Sequence, residues 1–194
     1  EAGDFAAQGQ ITGDTTLQYT GRLAGYGMMG GFLGVAHADT GFMYRGAGDA
    51  VVETVGDNAF HFVGNLRALV LGQVQDYPDI FSSTDVDIED DRPLGRSFSI
   101  GHNPFAALSG GTIYIPKTEW QRLDKTAQLQ VTTYGRLKQT KVTSEDHQDV
   151  LNLLSQYVDH SKREFPRVLY DRFTQDPALI GTQLSKISTR ISSS

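Results

Sequence analysis

Five carboxylates crowd into seven residues at Asp85-Val86-Asp87-Ile88-Glu89-Asp90-Asp91. Hard cations need several converging oxygens, so a divalent cation such as Ca²⁺ is what Asp85, Asp87, Glu89, Asp90 and Asp91 would hold. The spacing is not that of an EF-hand. Asp90 stands where the invariant Gly belongs, and Arg96 where the bidentate Glu belongs. Read as a strand, Asp85, Asp87 and Glu89 share one face, with Val86 and Ile88 on the other. A solvated acidic edge that resists edge-to-edge pairing is the favoured account. No other cofactor is expected.

The histidines are His37, His61, His102, His147 and His160. None belongs to an HExxH pattern, and no two have the i, i+4 spacing of a helical zinc site. His147 and His160 sit among Asp146, Asp149 and Asp159, the mark of a solvated helix face. His61 lies between Phe60 and Phe62 and points away from both on a strand. There is no GxSxG turn for a nucleophilic serine. The sequence therefore assigns no catalytic residue, and the chain leans away from an enzyme.

Gly25-Tyr26-Gly27-Met28-Met29-Gly30 is a literal GxGxxG. In a dinucleotide site such a turn must lead into a helix whose N-terminus meets the pyrophosphate. Gly31 and Gly34 follow instead, and no alternation of strands and helices surrounds them. A Gly-rich strand or bend with close backbone packing is the better account. The run 23–36 is also apolar and aromatic enough for a membrane-active loop, a reading that is not favoured. Fourteen residues with five glycines are too few for a spanning helix, which needs about 20 apolar residues.

Arg136, Lys138 and Lys141, beside Tyr134, make a small basic patch that could meet phosphate or nucleic acid. The last part of the chain adds Lys162, Arg163, Arg167 and Arg172. The formal net charge is -6, however, and these cations alternate with Asp and Glu. Solvated surface is favoured over nucleic acid.

The elements that must position these residues follow from composition and period. The 194 residues contain 21 Gly and no Cys, which excludes disulfides, Cys-ligated zinc and a cysteine nucleophile. No Asn-x-Ser/Thr acceptor for N-glycosylation occurs. The first residue is Glu1, so a processed or trimmed chain is expected. Fifteen of the glycines lie in residues 1–72. Residues 1–110 are acidic and residues 111–194 mildly basic.

The Gly-rich part carries a degenerate repeat of turns in which a small residue precedes Asp, at Gly13-Asp14, Ala38-Asp39, Gly48-Asp49 and Gly56-Asp57. Between them, Leu17/Tyr19, Phe42/Tyr44, Val52/Thr54 and Phe60/Phe62 stand at i, i+2, on one face of a strand. Turns spaced by 8 and 10 residues predict short antiparallel strands in a meander. Further strands are expected at 68–74, 97–101, 112–115, 127–133 and 136–143.

After Lys141 the period becomes helical. Thr143-Ser144-Glu145-Asp146 offers a cap and an acidic first turn. Val150, Leu151, Leu154, Tyr157 and Val158 form one stripe, and Phe165, Leu169 and Phe173 a second. Leu179, Ile180, Leu184, Ile187 and Ile191 form a third.

The expected fold is α+β. A Gly-rich antiparallel β-sandwich or barrel spans 1–143, and two or three amphipathic helices fill 144–194, packed on it or on a neighbouring subunit. The expected function is that of a non-enzymatic structural or interaction protein. It would be a self-associating subunit of a coat, filament or surface assembly, with Leu184, Ile187 and Ile191 at a subunit interface. Two alternatives share the barrel. In one, Phe42, Tyr44, Phe60 and Phe62 line an interior that binds a small apolar ligand. In the other, His and carboxylates in a barrel mouth serve a hydrolase or lyase. A surface, secreted or particle-associated location is favoured over the cytoplasm, with no transmembrane segment.

Overall fold

A computed structural model describes residues 14–28, 31–44, 47–57, 59–60, 64–81, 99–102, 104–105, 108, 110–123, 128 and 137–189. The strands are β1 (Asp14–Met28), β2 (Phe32–Tyr44), β3 (Ala47–Asp57), β4 (Asn65–Val70), β5 (Gly111–Pro116), β6 (Leu137–Thr140) and β7 (Leu184–Thr189). The helices are α1 (Lys117–Arg122), α2 (Ser144–Ser161), α3 (Glu164–Gln175) and α4 (Ala178–Gln183). All seven described strands belong to one sheet in the order β1-β2-β3-β4-β5-β7-β6. The protein is mixed α/β and its sheet does not close into a barrel.

The pairing overturns the expected antiparallel meander. β1 through β5 run parallel, and only β7 reverses, antiparallel to both β5 and β6. Asp14 lies beside Phe32, Phe32 beside Asp49, and Asp49 beside Arg67. These partners are 18, 17 and 18 residues apart in sequence. A conventional parallel crossover takes a dozen or more residues. Only three separate β1 from β2, and two separate β2 from β3. Such a chain meets its own previous turn only if the strands themselves bend around a circuit. The first four strands are therefore successive coils of a β-solenoid with 17 or 18 residues per turn, each rising by one strand spacing of about 4.8 Å.

Alternation sends one set of side chains into the coil and the other out. Leu33, Ala50, Ala68 and Ile113 stack in register across β2, β3, β4 and β5. Val35, Val52 and Val70 form a second ladder. Ala38, Val55 and Ile100 form a third, closed by an isolated parallel bridge between Val55 and Ile100. All ten are buried and belong to one core. Aliphatic side chains fill this interior. Phe60 joins it and stacks on Phe105, with ring centroids 5.8 Å apart. Both residues take positive φ, 55° and 63°, so the same left-handed corner recurs in two coils.

The outward ladder Gly34, Val51, Leu69 and Tyr114 faces a second core, which the C-terminal helices complete. Val150, Leu153, Leu154 and Tyr157 of α2 are buried there, with Phe165, Leu169 and Phe173 of α3. The buried stripe of α2 includes Leu153, while Leu151 and Val158 are only half-buried. α2 touches β1, β2, β3 and β4 in turn, so it runs along the solenoid axis and crosses the strands. Its 18 residues span about 27 Å.

The third expected helical stripe is corrected. α4 ends at Gln183, and Leu184 and Ile187 continue as β7, paired to β5. Both are buried. Ile187 stands in register with Ile113 and joins the interior core, so the strand's neighbours cover a stripe that also fits a helix. The segment after residue 143 thus contributes a strand to the sheet as well as helices against it.

Candidate functional site

Polar side chains collect where the fourth coil is interrupted. The chain turns out of the coil at Gly72, whose N–H donates to the Glu53 carbonyl, and Ser99 stands on the coil, its carbonyl accepting from the Val55 N–H. Gly72 turns with φ 72°, and a Cβ there would stand 2.5 Å from Asp76 Oδ2 and 2.8 Å from Pro116 Cγ. The 3₁₀ turn Val74–Asp76 opens the excursion.

Asp76 locks the two stems together. Its Oδ2 accepts from the Ser99 hydroxyl at 2.6 Å and from the Gln73 N–H at 2.9 Å. Its Oδ1 accepts from the Thr118 hydroxyl at 3.0 Å. Burial pushes the Asp76 carboxyl above its ordinary value. The three donors oppose that rise, while nearby Glu119 adds to it.

Glu119 pins the returning strand, accepting from the Ile100 N–H at 2.9 Å. Arg122 pairs with Glu119 at 2.7 Å and donates to the Ile100 carbonyl. Gln73 is buried; its Oε1 accepts from Gln75 at 2.5 Å, and its Nε2 meets no partner among the described residues. On the neighbouring coils, His37 Nδ1 and Thr54 Oγ1 are 2.9 Å apart and both side chains are buried.

This arrangement is two carboxylates in a buried setting, which is where acid–base chemistry is sought. Three donors from the protein itself already engage both Asp76 oxygens, and the residue is 6% exposed. Its chemistry here is that of a clamp holding the mouth of an excursion.

A second polar set fixes the helices to the solenoid. Arg67 on β4 forks onto Asp49 of β3 at 3.0 and 2.7 Å and reaches Asp149 of α2 at 2.6 Å. Glu53 on β3 accepts from the Tyr157 hydroxyl at 2.7 Å and from Arg163 at 2.5 and 2.9 Å. Asp146, in the first turn of α2, accepts from the Thr143 N–H, the Tyr114 hydroxyl and Lys186. Burial works to raise the Asp146 carboxyl, but Lys186 and the other donors outweigh it and hold it below its ordinary value.

The sheet's two ends differ. β6 is four residues long, and Lys138 and Gln139 on it are exposed, as is Lys141 just beyond. A short edge strand bearing lysine discourages further pairing. β1, by contrast, is the longest strand, at 15 residues. It pairs with β2 on one side, and its other edge meets no strand among the described residues.

The expected site residues are not brought together. Asp85, Asp87, Glu89, Asp90 and Asp91 lie outside the described residues, as do Arg136, Phe62 and Ile191. Among the described residues, no three His, Asp or Glu side chains form a group that could hold a metal ion. Phe42 and Tyr44 lie on β2, in register with Ala24 and Met28 of β1. Phe60 is wholly buried in the interior core. The GxGxxG begins on β1 rather than at a helix N-terminus. His102 is exposed beside Asp57, which accepts from the His102 N–H at 2.7 Å. Among the described residues, no helix is long and apolar enough to cross a membrane.

Sequence reasoning missed the Asp76–Ser99 clamp and the parallel coil. The clamp has no local signal, because its partners are 23 residues apart. The coil had one. Leu33-x-Val35, Ala50-x-Val52 and Ala68-x-Val70 repeat at the coil spacing. No protein-family model matches this chain, and no curated protein is similar to it.

Proposed function

We propose that this chain is a non-enzymatic interaction protein, a β-solenoid that works as a self-associating subunit. The observation that carries the reading is the asymmetry of its ends. Among the described residues, one end presents a long parallel strand whose outer edge meets no other strand. The other ends on β6, where Lys138 is exposed. An exposed strand edge is a template for pairing with another chain. Solenoid stability comes from each coil covering the next, so an uncovered terminal coil has a standing reason to associate.

The site chemistry supports the same reading. The buried carboxylates that could serve a reaction hold the fold together instead. Aliphatic ladders fill the coil interior, which speaks against a ligand cavity there. The test is sedimentation equilibrium across low to high micromolar concentration. A concentration-dependent rise in mass is expected. A strict monomer throughout that range would sink the proposal.

A further inference from the structure

We draw no further inference here: the strongest candidate, the side-chain cluster of Gln73, Asp76 and Glu119 where the chain turns out of the coil, belongs to the clamp already described, and no group among the described residues shows what the buried Gln73 amide would bind.

Discussion

Gly34 of β2 lies directly beneath the ring of Tyr157 of α2: a Cβ at position 34 would stand 2.7 Å from Tyr157 Cδ2. The same ring sends its hydroxyl to Glu53 on the next coil, at 2.7 Å. One tyrosine therefore sets the distance between helix and solenoid and fixes its position along the axis. The missing side chain at Gly34 is what lets the helix sit this close.

Adding a methyl there should push α2 outward. Gly34→Ala is expected to cost about 1–3 kcal/mol, the range for overpacking a close-packed contact. Tyr157→Phe keeps the ring but leaves Glu53 short of a donor, at about 1–3 kcal/mol. Urea unfolding of both variants provides the check. If Gly34→Ala is neutral while Tyr157→Phe is costly, the hydroxyl and not the ring sets the docking.

The two ion-pair sets should separate by burial. The side chains of Arg163 and Glu53 are 11% and 3% exposed. Removing Arg163 by Arg163→Met strands a buried carboxylate and should cost about 3–5 kcal/mol. Arg67 is 36% exposed and Asp149 42%, so water and salt already screen that pair. Asp149→Asn, which leaves the fork onto Asp49 in place, should cost no more than about 1 kcal/mol, and less in 0.5 M salt. Thermal or urea unfolding at low and high salt measures both. Equal costs for the two variants would contradict the ranking.

The helices were legible because their signal is local. Val150, Leu154 and Tyr157 recur at helical spacing, and all three are buried where that spacing puts them. The strand positions of β5 were legible for the same reason. What the sequence hid was direction. Val52 and Val70 look alike whether their strands run parallel or antiparallel, because period 2 reports a face and says nothing of the neighbour. Gly-Asp pairs at 48–49 and 56–57 imitate hairpin turns; the structure sets Asp49 and Asp57 at the two ends of one continuous run of β3 beside β2. Leu184 and Ile187 fit both a helix face and a strand, and pairing with β5 decided between them. The Asp76 clamp joins residues 23 apart in sequence, which no local pattern records.

Two buried carboxylates should respond to pH with opposite signs, because different forces act on them. Asp76 has its pKa raised by burial. Its neutral form is favoured in the folded state, so its contribution is fully present below the ordinary aspartate value of 3.8 and lost as pH rises through its folded value. Asp146 has its pKa lowered, with Lys186 and backbone donors overcoming burial. Its contribution is present above 3.8 and lost as pH falls through its folded value. Removing each charge isolates each sign. Asp76→Asn keeps an oxygen for Ser99 and Gln73 and offers an amide to Thr118, so it should gain on the native chain as pH rises from 4 to 7. Asp146→Asn loses its attraction to Lys186, so its deficit should be largest at neutral pH and shrink below pH 4. Urea midpoints of the three proteins across pH 3–8 make the comparison. Parallel curves for Asp76→Asn and the native chain would mean that the clamp carries no charge penalty, and that its three donors fully replace the water it lost.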